Sequence, residues 1–281
     1  MSITRGAVLA TVERSPAAAG AHDRAGWVGL FTGDGKVQDP VGSRPHVGHA
    51  EIERFYNTFI GPRDITFHRG IDIVRGATVL RDLVLEVSMG AAVTMHIPAI
   101  LRYDVQSAGS PDELLISRLQ AYWELPAMAW QFARNGPAAV PAALQLTRAL
   151  LTNQGPSGAA GFMSGAVGVG VRGKRHIAQL IDDACAGNEV AVKRVLGPDA
   201  DITSGDEDRL KPTELVAALA GTRRRTTVVA GRHVAVSVTG PGGDAVLIAD
   251  VASRPTRVQR LRLFVEAGDK AQAGDRSDPV T

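Results

Sequence analysis

Cysteine is nearly absent from this chain. Its 281 residues include one, Cys185, in the helix-like run LIDDACAG. A lone cysteine excludes a disulfide framework within the chain and suits a reducing cytoplasm, the location expected here. Nothing beside it in sequence would lower its pKa, so it makes a poor nucleophile. Charge of one sign is also lacking. A formal net charge of +2 is too small to argue for nucleic acid as a partner. The histidines lack ligand spacing, with no HxxxH and no CxxC, so neither a metal site nor a cofactor is expected. No Gly-x-Ser-x-Gly elbow occurs, and GVGVRGK has neither the spacing nor the preceding strand of a P-loop. The opening MSITRGAVLATVERS has no apolar core before a cleavage site, so no signal peptide is expected. The uncharged run 149–171 has the length of a membrane span. However, it contains Asn153, Gln154 and many glycines, and its apolarity is low. Membrane contact by 138–171 therefore remains the minor reading beside a linker or flap.

What is present is an ordinary globular composition, 44% hydrophobic, over a length that favours two domains. Residues 6–31 read as helix interrupted at Ser15-Pro16. FTGDGKV reads as a hairpin or loop. In AEIERFYNTFI, Ile52, Phe55, Tyr56 and Phe59 share one helical face. Strand patterns follow at 79–89, 92–105 and 114–125. In the first, Leu83, Leu85, Val87 and Met89 alternate with Asp82, Glu86 and Ser88. Pro98 in the second suggests an edge or a bulge. His96 falls on the face opposite Ala99, and His68 and Asp72 alternate on one face of FHRGIDIVRG. Residues 126–174 are helical and then Gly-rich. From 175 a shortened second copy begins: KPTELVAALAG stands where HAEIERFYNTF stands, and VQRLRLFVE echoes ISRLQAYWE. The triplet Arg223-Arg224-Arg225 reads as a solvated turn, with an acidic-partner or phosphate site as the alternative. The tail 268–281 is polar and expected to be disordered.

The densest chemistry lies in QDPVGSRPHVGHAEIERFY. A carboxylate before a proline has a nearly fixed, extended backbone, which holds Asp39 rigidly. Gly42 and Gly48 allow the turns that would bring Tyr56 back towards Asp39. A carboxylate near a phenol inside an apolar shell is a plausible acid/base pair. The same spacing also fits a solvated turn that caps a helix.

This stretch, with FTGDGKVQDPVGSRPHVG, EIERFY and the strand RLQAYWE, resembles the ketosteroid isomerase and SnoaL-like branch of the NTF2-like superfamily over residues 8–125. The resemblance implies an α+β fold of tandem NTF2-like cones, each a curved antiparallel sheet wrapped by helices around an apolar pocket. The implied domains are 1–125, a linker or flap at 126–174, and a degenerate second cone at 175–267. It also implies that Asp39 is the general base that moves a proton between two carbons of an enone. Tyr56 matches a supporting tyrosine, and Trp27, Phe31, Phe55, Phe59, Leu101 and Trp123 would line the pocket. The family's oxyanion donors are replaced: Ala99 stands where a protonated acid is expected and Ser15 where a tyrosine is. His46, in the loop after Asp39, could reach the pocket mouth. A small apolar ligand is the implied partner, bound as a substrate for proton transfer or cyclisation, or by a non-catalytic binding or assembly module. A partner-stabilising subunit is a third reading. The second cone would pair with the first within the chain, or copies would pair as a homodimer. Epoxide hydrolysis needs an Asp-Arg-Asp arrangement, and Arg81-Asp82 falls short of it.

Overall fold

A computed structural model describes residues 3–90, 93–109, 113–197, 199–254 and 256–266. The expected disordered tail lies outside them. Thr4 opens helix α1 (Arg5–Gly20), its hydroxyl accepting the Ala7 N–H. The expected break at Pro16 does not occur. The proline forfeits one helical hydrogen bond, but the helix buries a stripe of Val8, Val12, Ser15 and Ala19 that holds it on the sheet. Helix α2 (Arg24–Gly29) follows, capped by Asp23.

Strand β1 (Phe31–Gln38) contains the Gly-Asp-Gly whose composition suggests a hairpin or loop. From Phe31 to Lys36, β1 advances five positions against only two of its neighbour β6 (Leu114–Tyr122), Ile116 to Arg118. The glycines therefore lie in a wide bulge inside a paired strand. The short strand β2 (His46–Val47) and helix α3 (Gly48–Phe55) come next. A single π-helical turn then spans Tyr56–Ile60. Strands β3 (Asp64–Arg75), β4 (Thr78–Ser88) and β5 (Thr94–Ser107) complete a sheet of order β2-β1-β6-β5-β4-β3. Because β1 runs parallel to β6, the sheet is mixed rather than wholly antiparallel.

The β3–β4 register slips between Arg69 and Ile71. The extra residue, Gly70, reverses the alternation. His68 consequently lies on the outer face against Glu86, while Asp72 points inward to Arg81, so the two do not share a face as expected. Pro98 pairs with Val84 of β4, whereas β6 begins pairing with β5 only at Ile100. Beyond that point β5 is an edge, where a residue without an N–H is tolerated. The Gln131 side chain closes that edge through hydrogen bonds to the His96 N–H and carbonyl.

Helices α4 (Leu125–Ala133) and α5 (Val140–Met163, kinked at Gly155) follow the first sheet. No helix among the described residues is long and apolar enough to cross a membrane. The topology then repeats. Helices α6 (Gly170–Cys185) and α7 (Glu189–Leu196) precede strands β7 (Asp201–Ser204) and β8 (Asp208–Arg209). Helix α8 (Pro212–Leu219) leads into β9 (Arg223–Ala230), β10 (His233–Thr239), β11 (Ala245–Ser253) and β12 (Thr256–Val265). The second sheet has order β8-β7-β12-β11-β10-β9, with β7 parallel to β12, the counterpart of the first.

Each sheet covers its own core on the inner face. The outer faces share a third core, in which Ile73, Leu80, Ile100 and Tyr122 meet Val228, Val246, Ile248 and Phe264. At its rim the two halves approach without side chains. A Cβ on Gly42 (φ +95°) would stand 2.8 Å from the Gly231 Cα. The arginine triplet is not a turn. Arg224 in β9 forks onto Asp182 of α6, and Arg225 reaches Asp82 of β4.

Candidate functional site

The parallel pairing of β1 with β6 carries the chain to Asp39, whose bond to Pro40 is cis. The strand end and the neighbouring end of β6 bring Asp39 beside Trp123, and the indole Nε1 donates to the carboxylate at 2.5 Å. Burial pushes the Asp39 pKa up to about 6, and the indole hydrogen bond partly offsets that rise.

Asp39 lines a cavity of about 400 Å³, within the roughly 300–1,000 Å³ span of small-molecule sites. Its walls come from the inner faces of β4 and β5 (Leu85, Val87, Met95, Ile97), from Phe55 and Phe59, and from the helical segment after the sheet. That segment contributes Met128 and Phe132 of α4 and Leu146, Leu150 and Phe162 of α5. Phe162 stacks on Phe59 with centroids 4.9 Å apart, tying the α5 end to the π-helical turn. Among the described lining residues only Asp39 and Arg63 are ionisable. Burial and the Trp123 indole set the shift of Asp39, and burial sets that of Arg63.

Of the residues singled out in the sequence, Asp39, Phe55, Phe59 and Trp123 meet on the cavity wall. Trp27, Phe31 and Leu101 are sealed in the core beneath, 2%, 1% and 5% exposed. Tyr56 does not reach Asp39. Its ring packs 5.5 Å from Trp27, and its buried hydroxyl has no hydrogen-bond partner among the described residues. Burial raises its pKa, with the charge of Asp23 adding to the rise. His46 stacks on Phe55 and lines a separate polar cleft with Arg44, Glu51 and Arg54, adjoining the cavity at Phe162. Burial lowers its pKa. His96 is on the outer face, as the alternation indicated, beside Gln131.

Ala99 is fully buried on the inner face and offers no donor. Ser15 accepts from the Trp27 indole at 3.2 Å and bonds the Tyr103 phenol. Tyr103 is buried, and burial raises its pKa, with the Asp39 charge among the smaller contributions to the rise. Tyr103 was not among the expected site residues, although counting alternate positions from Ala99 along β5 puts it on the same inner face. Arg63 was missed as well, because a lone arginine after Gly-Pro carries no periodic signal. Arg81 forks onto Asp72 and reaches Glu13 of α1, so this acid–arginine–acid group ties the first helix to the sheet and stands outside the cavity wall.

The second cone lacks the pair. Aligning the echo of β6 with β12 sets Arg262 at the place of Gln120 and Val265 at that of Trp123. Thr203 pairs with Arg262 as Gln38 pairs with Gln120, so Ser204 stands at the place of Asp39.

Solved structures resemble one half of the chain. The Delta 5-3-ketosteroid isomerase from Mycobacterium sp. is 27% identical, covering 46% of this chain and 98% of its own, with a TM-score of 0.40. RV0760c from Mycobacterium tuberculosis is 25% identical, covering 44% of this chain and 95% of its own, with a TM-score of 0.40. Residues 7–104 match the Nuclear transport factor 2 (NTF2) domain, and they supply the helices and most of the strands that form the first cone. The NTF2 domain match lies within the N-terminal half of this chain.

Proposed function

We propose that the first cone is a ketosteroid-isomerase-like site that holds a steroid-, polyketide- or lipid-like molecule and that Asp39 takes a proton from a carbon acid in it. One observation carries this reading: a single carboxylate, raised to about 6, facing a cavity of about 400 Å³ whose other described lining residues, Arg63 apart, are apolar or aromatic. A base with a pKa near neutrality is mostly ionised at pH 7 and still accepts a carbon-bound proton effectively. The indole of Trp123 keeps the carboxylate oriented. The weak point of the catalytic arm is the other end of the reaction, where an enolate oxygen needs donors. Ala99 supplies none, and Ser15 is bonded to Trp27 and Tyr103. A slow reaction follows, since each missing donor commonly costs about two to three orders of magnitude.

Those two positions also favour a second reading, a binding module without turnover. In either case the second cone, with Ser204 and Val265 in place of the pair, serves to cover the outer sheet face of the first. We place the domain boundaries, as the sequence suggested, near residues 125 and 175.

The test is solvent-deuterium exchange into a steroid enone, followed together with binding of a phenolic steroid, in the intact chain and in Asp39→Asn. Exchange lost with binding retained is the expected result. Binding without exchange in the unaltered chain selects the binding module. Failure to bind either steroid removes the reading.

A further inference from the structure

Buried arginines among the described residues are otherwise matched to acids. Arg81 has Asp72 and Glu13, and Arg102 has Asp104 and Asp206. Arg63 is the exception. It is 8% exposed and lines the apolar cavity, yet no carboxylate pairs with it among the described residues. Its position is fixed from behind. The Arg63 N–H donates to the Ile60 carbonyl at 3.0 Å, and Nη1 donates to the Thr58 carbonyl at 2.5 Å. Both acceptors belong to the π-helical turn, a feature that recurs at functional sites. The guanidinium carbon sits 6.0 Å from the Phe59 ring centroid, and Phe59 is itself stacked on Phe162. A guanidinium carries five donors, and Thr58 is the acceptor the described residues offer. A desolvated cation without a counter-charge is unfavourable until an anion joins it. Burial accordingly pushes its pKa down to about 10, with no acid acting in the other direction.

We propose that Arg63 is the anchor for the anionic end of the cavity's ligand, and that the ligand is an amphipathic monocarboxylate with an apolar body. The described lining offers one cation, which suits one negative charge rather than a dianionic phosphate. Its remaining described walls suit hydrocarbon, and no ion pair joins Asp39 to Arg63 among the described residues. The planar fork of arginine matches a carboxylate. This assignment rests on the cavity being a ligand site, as proposed above.

The experiment titrates the full chain with dodecanoate and with methyl dodecanoate at pH 8 by calorimetry, alongside Arg63→Gln and Arg63→Lys. The acid is expected to bind about 10–100-fold more tightly than the ester, the range of a charge-assisted contact. Arg63→Gln should abolish that preference, bringing the acid to the level of the ester, with Arg63→Lys recovering part of it. A thermal melt of each variant establishes that it folds. Equal binding of acid and ester by the unaltered chain, or a preference that survives Arg63→Gln, overturns the anchor and leaves the cavity reading standing. Binding of neither molecule overturns both.

Discussion

At the scale of single residues, Asp39 sets the terms. Its carboxyl is raised from 3.8 to about 6 by burial, so the neutral form is favoured in the folded chain. The stability it contributes is complete below about pH 4 and is lost as pH rises through about 6. At about 1.36 kcal/mol per unit, the charged form costs about 3 kcal/mol at neutral pH. Asp39→Asn is therefore expected to raise the urea midpoint at pH 8 and to match the parent below pH 4, while exchange activity disappears. The proposed base needs its charge, so activity should climb through pH of about 6. Trp123→Phe removes the hydrogen bond that lowers this pKa. A carbon-detected NMR titration of the Asp39 carboxyl should then give a midpoint above about 6. A midpoint unchanged or lower would contradict the geometry of the pair. Asp39 and Trp123 were legible in the sequence because a rigid Asp-Pro and a terminal aromatic strand are local patterns. Tyr56 was legible as buried, but not its want of a hydrogen bond to Asp39, which depends on how its ring packs beside Trp27.

At the scale of elements, bulges and edges decide which face a residue shows. Gly70 sends His68 outward and Asp72 inward, and the regular alternation of β4 leaves Asp82 on the outer face. There Asp82 is nearly sealed and accepts from Arg225, Thr226 and Ser237 of the second sheet. Asp82→Ala strands those donors beneath the shared core and should cost about 3–5 kcal/mol in urea unfolding, the range for breaking a buried charge contact. Asp82→Asn keeps an acceptor for the two hydroxyls and should cost less. The alternation of β4 is readable from its own residues. The partners of Asp82, more than 140 residues away, are not, because no local pattern encodes which strand faces another sheet. The arginine triplet shows the same limit: its charge suggested a turn in solvent, and its acids turned out to lie across two interfaces.

At the scale of the whole molecule, two cones of one topology bury their outer sheet faces in one core. Their close approach depends on Gly42 and Gly231. Gly231 has φ +56°, and a side chain there would meet the Gly42 backbone. Gly231→Val should thus weaken the joint, turning one calorimetric unfolding transition into two. A single transition of unchanged midpoint would show that the joint does not depend on this approach. The helices after the first sheet are also a whole-molecule feature. Their helical and then Gly-rich sequence reads as a linker or flap, and apolar side chains of α4 and α5 form one wall of the cavity.

The sequence by itself determined the repeated order of helices and strands, the inner faces of the long strands, and the acid before proline as the candidate for the chemistry proposed here. These rest on periodicity and backbone restriction, which act within a few residues. The tertiary structure alone decided that Asp39 is desolvated, that Trp123 rather than Tyr56 bonds it, and that Arg63 lines the same cavity without an acid partner among the described residues. Each of these depends on groups brought together from distant parts of the chain, and burial, the largest influence on both charges, is a property of the packed molecule.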